Sequence, residues 1–514
     1  MNLKSLLLLQ AVAMAPAMSF AANYYVTPEG AGARNGSSWD DAFGVAEFRT
    51  QAENNANGDV YYFDGGLYNL SEKTVVFKTA TGATLIGNAD GERTVFSGDK
   101  NGNNNPDNGD ANRLIRFQAN TVNGNSANAI VIENIDFTGV YTQASNSSDN
   151  MAALAVDNSG DVLVKGCRFY SNWAQGEYGG PAAFVSRSTI KFLNCIFYDN
   201  TANYRGGAIR IFCDNVNKGF VTLENCVIKN NKNYHNLGGA IFMSHGNSLN
   251  IVNSTITGNS AVSDGGAIYF NGYDSAHHRE VRIVNSTIAN NTTTSEDDAQ
   301  IVSTNNAHLN IVNSIITSDA AVAAIKFKGD APGADFAFVS GGYNYVGSVI
   351  EPADNEMEWA ESDTHGEECT YGSIFGENVI NNNNVIAPAT FVLGADGEQV
   401  TEAVASWGLP AGLDLTVDQL GNERLAGMTP GAYAVDKNNV TTGSIDVITD
   451  GQDTALVKIA DGVYAVTGAE GAVTVYNLSG ISVLTATTDC IDLSTSASGL
   501  YFVKAGNKVF KVIR

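Results

Sequence analysis

Between Glu133 and Asp319, short runs of alternating apolar and polar residues return with fixed punctuation. They read ENIDFTGV from Glu133, KGCRFYSN from Lys165, LNCIFYDN from Leu193, ENCVIKNN from Glu224, VNSTITGN from Val252, VNSTIANN from Val284 and VNSIITSD from Val312. Their second residues, Asn134, Gly166, Asn194, Asn225, Asn253, Asn285 and Asn313, are 28 to 32 residues apart. A second phrase is interleaved: GGPA at Gly179, then GGAI at Gly206, Gly238 and Gly265. A period near 30 residues built of short apolar runs and Gly/Asn turns marks a solenoid. No helical periodicity runs through it, so the pattern predicts an all-β solenoid.

The copy from Leu249 to Phe270 shows one coil. Leu249 and Ile251 alternate with Asn250 and Val252, as in a strand with one buried face. Asn253 tolerates the left-handed conformation of a sharp bend, and Asn side chains stacked there could hydrogen-bond along the axis. A second strand, Ser254–Thr257, buries Ile256, and Gly265-Gly266 leads into a third with Ile268 and Phe270 inward. Three strands and three turns per coil are expected.

Composition narrows the class. Lys4, an apolar stretch and Ser19-Phe20-Ala21 give residues 1–22 the pattern of a secretory signal, so export is expected. No other apolar run has the roughly 18 residues needed to span a bilayer as a helix. A formal charge of −25 argues against nucleic acid as a partner. Cys167, Cys195 and Cys226 share a repeat position that later carries Ser254, Ser286 and Ser314, as a column of small buried side chains would; a disulfide is the alternative.

This coil resembles the right-handed parallel β-helix of the pectate-lyase-like superfamily. The GGAI and NSTI phrases are similar to the polymorphic surface-protein repeats of bacterial autotransporter adhesins. The resemblance covers Glu133–Asp319 and bears on fold rather than activity. NYYVTPEG, NGSSWDDAFG, a short helix and GDVYYFDGGLYNL resemble the N-terminal cap of secreted β-helices, with Asp40 or Asp41 as the helix cap and Val45, Phe48 and Ala52 on one face. The polar loop Asp99–Asn112 reads as a flexible insertion, with Ca²⁺ binding as the alternative, and Glu351–Glu368 as a solvated loop. GGYNYVGSV and DQLGNERLAGMTPGAYAVD look like the closing elements of surface β-helices that carry interchangeable anchors.

VYNLSGISVL, IDLSTSASGLYFVKAGNKVFKVIR and the basic final strand resemble the sorting domain of the bacterial type IX secretion system. That resemblance implies a small C-terminal β-sandwich, recognition by the outer-membrane export machinery and delivery to the cell surface. The expected organisation is a signal at 1–22, a capped β-helix at 23–440 and a sorting domain at 441–514.

Standard catalytic motifs are missing: there is no Gly-x-Ser-x-Gly, His-Glu-x-x-His or Cys-x-x-Cys. The GGAI strands nominate a surface instead. Arg210, Phe242 and Tyr269 are expected to point outward after Ala183, with Val185, Phe212, Ser244 and Asn271 as the next column, and His245 on the coil between two flanking loops. Trp173, Tyr178, Tyr204, Arg205, Tyr234 and His235 lie to the other side, with Tyr204 counted among the candidate ligand-binding residues. An exposed aromatic and basic strip on an acidic chain suits an acidic polysaccharide or cell-surface glycan. No cofactor is required for binding. The catalytic alternative is a polysaccharide lyase with Arg205 or Arg210 as base, aided by Ca²⁺ on Asp214, Asp264 and Asp274, or a hydrolase using paired carboxylates.

Overall fold

The computed structural model describes residues 21–513 apart from 56–57, 79–81, 120–128, 144–150, 178–179, 213–218, 245–246, 273–278, 296–297, 305–306, 320–321, 329–336, 352–356, 437–454, 461–462, 468–472, 478–481, 487–489, 494–499 and 506–507. The chain divides into two units. One comprises residues 1–372, 380–385 and 392–434; the other comprises 373–379, 386–391 and 435–514.

The first unit is a parallel β-helix. Three long sheets of 11, 11 and 10 strands run along its axis, and every pairing in them is parallel. In the coil read above, Asn247–Val252 belongs to the first sheet, Thr255–Thr257 to the second and Ile268–Asn271 to the third. Leu249, Ile251, Ile256, Ile268 and Phe270 are all buried in the core, as the alternation predicts. Asn134, Asn194, Asn225, Asn253, Asn285 and Asn313 each have a positive φ of 47° to 58°, so this column makes the bends.

The amide ladder, however, sits elsewhere. It runs through Asn172, Asn200, Asn231, Asn259 and Asn291, the last residues of their phrases. Each Nδ2 donates to the next Oδ1 at 2.8 to 2.9 Å, and Gln300 Oε1 ends the chain by accepting from Asn291 at 3.1 Å. The bend column carries one such bond, Asn313 Nδ2 donating to Asn285 Oδ1 at 2.8 Å, while Asn253 and Asn285 donate outward to the carbonyls of Asp414 and Leu415. Cys167, Cys195 and Cys226 are buried free thiols, and Ser254, Ser286 and Ser314 continue their column.

The ladder holds an element that sequence alone misses. Immediately after each ladder Asn the chain pairs for two residues with the neighbouring coils: Trp173–Ala174, Thr201–Ala202, Lys232–Asn233, Ser260–Ala261 and Thr292–Thr293, preceded by Tyr141–Thr142. These form a fourth, six-stranded sheet. The expected three strands per coil therefore become four in this part of the helix.

At the N-terminal end the helix Val45–Glu53 buries Phe48 against Tyr61, Phe63, Phe77 and Phe96. It covers strand ends that would otherwise be open to pairing. Its cap is Gly44 rather than an aspartate: Glu47 accepts from the Gly44 N–H at 3.1 Å, while Asp41 accepts from Ala33 N. The loop after Asp99 is built from its own side chains. Asp99 accepts from the amides of Gly102 and Asn104, and Asp110 from those of Lys100 and Asp107. Short Asn and Asp side chains thus satisfy backbone amides within this insertion.

Residues 392–434 close one corner of the coil stack. Val400, Val404 and Trp407 cover the outward residues Val252, Val284 and Val312. Arg424 is buried here, donates to Val417 O and Gly431 O, and burial pushes its guanidinium down to about 10. Trp359, within the supposed solvated stretch, stacks on His365 with centroids 4.3 Å apart and also packs against Phe338. In the second unit, a three-stranded and a four-stranded antiparallel sheet share a core of Tyr464, Val466, Val475, Ile491, Val503 and Val512. Among the described residues, no helix is long and apolar enough to cross a membrane.

Candidate functional site

Two aromatic and basic columns lie side by side on the coils from Tyr141 to Lys328. The first follows the third sheet. Pairing aligns Ala155, Phe184, Arg210, Phe242, Tyr269, Val302 and Lys326 on its outer side. In the coil of Ala183 the expected register is off by one: Ala183 and Val185 align with Ile209 and Ile211, facing inward, and Phe184 and Ser186 face outward. The cause is Pro181-Ala182-Ala183, whose small residues give no alternation to read.

The larger correction concerns exposure. Arg210, Phe242 and Tyr269 are only 1%, 4% and 9% exposed. Phe242 and Tyr269 stack at 5.6 Å with an interplanar angle of 6°. The Arg210 guanidinium lies 5.4 Å from the Phe184 ring centre and 5.8 Å from that of half-buried Phe212, and it donates to the carbonyl of Glu177 at 3.2 Å. Outward orientation here means a second, external layer of packing rather than contact with solvent.

At the foot of this column Asp264 pairs with Lys328 at 2.9 Å. Asp298, on the next coil, is buried; its Oδ1 accepts from Ala299 N while Oδ2 has no hydrogen-bond partner. Burial raises its pKa above the usual carboxylate value, and Asp264 adds to the rise. Burial also raises the Tyr269 phenol. Asp214, Asp274 and His245 lie outside the described residues. Among the described residues, no three His, Cys, Asp or Glu side chains come together as metal ligands.

The second column follows the short fourth sheet and reaches solvent. Tyr141 and Trp173 are cross-strand partners with ring centres 5.8 Å apart, and Trp173 and Tyr234 are 6.5 Å apart. Tyr204 and His235 face each other at 5.9 Å. Tyr204 and Tyr234 are 38% and 49% exposed, and Lys232 projects beside them. Arg205 adjoins the row, its guanidinium 5.5 Å from the Phe242 ring centre and 3.0 Å from Glu177 Oε1. Of the residues read from sequence, Tyr204, Arg205, Trp173, Tyr234 and His235 thus share an accessible ridge. Arg210, Phe242 and Tyr269 lie in the layer beneath.

Tyr141 and Lys232 escaped the sequence reading. Lys232 follows a ladder Asn and was legible once that column was located; Tyr141 follows Val140, which stands where the ladder Asn would be. Chemically, the described residues of the ridge offer flat rings and cations.

Residues 94–235, which include most of this ridge, match the family model for the right-handed β-helix region. No curated protein sequence matches the chain. Among solved structures, the chain is similar to pectate lyase Pel9A, at 14% identity over 68% of this chain and 80% of that one, with a TM-score of 0.34. It is also similar to PfbA, a surface adhesin of Streptococcus pneumoniae, at 13% identity over 60% and 88% of the two chains, with a TM-score of 0.26. A PL6 alginate lyase in complex with a trisaccharide gives 13% identity over 73% and 93%, with a TM-score of 0.27. Likeness this distant says nothing of activity.

Proposed function

We propose that this is an exported, surface-delivered β-helix that binds a glycan chain along its axis. The observation that carries this reading is a run of rings on successive coils, half-buried Tyr141 and Trp173 followed by exposed Tyr204 and Tyr234. Parallel strands rise about 4.8 Å per coil, close to the advance per sugar in an extended polysaccharide. Tyr141 and Trp173 share one register position, Tyr204 and Tyr234 lie a few residues further along their coils, and such rings can stack on the apolar faces of successive pyranoses.

Delivery rests on the amino-terminal signal pattern and the resemblance of residues 441–514 to type IX sorting domains. The two antiparallel sheets of the second unit suit the small sandwich that resemblance implies. Deleting 441–514 is expected to leave the protein inside the cell envelope.

Uronate elimination finds less support. Arg210 is buried and committed to a backbone carbonyl, and Arg205 is ion-paired. A glycan array probed with full-length protein is the direct test, with Trp173 emission as a second readout. Saturable binding that is lost in Trp173→Ala and Tyr234→Ala supports the proposal; equal binding by both variants overturns it.

A further inference from the structure

The Arg205–Glu177 pair has the form of a recognition site already occupied by a stand-in ligand. Arg205 follows Tyr204 directly, its backbone bridged to Leu237 on the next coil and its guanidinium steadied over Phe242. The carboxylate it meets comes from Glu177, one coil back, and that side chain is 44% exposed. Glu177 is fixed by its backbone, because its carbonyl accepts from buried Arg210. Its carboxylate head is therefore free to swing away without disturbing the main chain.

We propose that Arg205 is the anion-reading position of the aromatic row, and that Glu177 is a resident carboxylate displaced by the carboxylate or sulfate of an anionic glycan. This rests on the reading of the row as a glycan platform and adds its specificity. A pair this open to solvent, with side chains 28% and 44% exposed, contributes little, on the order of 1 kcal/mol, so displacement is cheap. A ligand group that also stacks its sugar on Tyr204 gains more than Glu177 loses. Lys232 extends the cationic edge on the adjoining coil, where His235 faces Tyr204. On a chain of formal charge −25, such a cluster gives an anionic ligand a favourable landing place. Glu177 then acts as a threshold: it neutralises Arg205 against small anions and yields to a sugar that brings stacking as well as charge.

The test is calorimetric titration of full-length protein with three probes: an oligogalacturonate, a sulfated galactan oligosaccharide and a neutral xylo-oligosaccharide. Glu177→Gln is expected to tighten at least one anionic probe, by about two- to fivefold if the pair contributes up to 1 kcal/mol. Arg205→Gln should weaken the same probe and leave the neutral one unchanged. Tightening of the uronate alone identifies a carboxylate reader; tightening of the galactan alone identifies a sulfate reader. Glu133→Gln removes a distant carboxylate that lies 3.7 Å from Lys165, and should do nothing. Equal tightening by Glu133→Gln would reduce the effect to net charge and overturn the proposal. Unchanged affinity in Glu177→Gln, with binding still lost in Tyr234→Ala, would overturn it while sparing the glycan platform. Indifference of every probe to Tyr234→Ala would remove both.

Discussion

The two aromatic columns are made of similar residues and lie on the same coils, yet they do opposite things. Phe184, Arg210, Phe242 and Tyr269 stack outside the third sheet and are buried. Tyr141 and Trp173 lie half-buried in the fourth sheet, and Tyr204 and Tyr234 follow its later strands with their rings exposed. In a β-helix, strand register settles whether a side chain faces the core, but not whether it faces water. A second layer forms wherever loops and long side chains close over the outer surface. Stability and recognition are therefore assigned to adjacent columns, and substitutions should separate them.

The largest effect is expected where both columns share a support. Asn231 links Asn200 to Asn259, donates to Phe197 O, and immediately precedes Lys232 of the fourth sheet. Asn231→Ala strands several buried groups, each costing about 1–3 kcal/mol, so denaturant unfolding should show a loss of 3 kcal/mol or more. Tyr269→Ala opens a cavity in the buried column and should cost about 3 kcal/mol in the same assay. The sequence reading placed Tyr269 in a binding strip; the structure moves its expected effect to stability. Tyr234→Ala should reverse the pattern, weakening glycan binding roughly tenfold with stability within about 0.5 kcal/mol of wild type.

The smallest effect should come from Asp298. An acid that holds its proton more tightly when folded loses stability as pH rises from the ordinary carboxylate range through its folded pKa. Wild-type protein should therefore lose some stability across that interval, and Asp298→Asn should not. At neutral pH the variant should melt slightly higher. Lys326, Lys328, Asp264 and Tyr269 surround this group, so the comparison is best made at fixed ionic strength.

Much of the fold was legible because the core is periodic. The Leu249/Ile251, Ile256 and Ile268/Phe270 positions, the left-handed Asn bends and the Cys/Ser column follow from side-chain size and backbone preference alone. Which Asn column forms the ladder was not legible. Both columns recur once per coil, and only the direction of the side chain distinguishes Asn253, donating outward to Asp414, from Asn259, donating along the interior. The fourth sheet was invisible for a related reason: two-residue strands such as Thr201–Ala202 carry no alternation to detect. Tyr204 and Arg205 were found from their place beside the repeated Gly-Gly strands; their separation from Arg210 by a layer of packing depends on tertiary contacts such as Arg210 with Glu177 and Phe184.

The division of labour between the columns is tested most directly by calorimetric titration of one glycan, chosen for saturable binding to wild type, into Tyr234→Ala and Tyr269→Ala under folding conditions. Wild-type affinity in Tyr269→Ala with roughly tenfold weaker binding in Tyr234→Ala is the expected result. Loss of binding in Tyr269→Ala, with Tyr234→Ala unaffected, would place recognition on the third sheet and contradict the assignment made here.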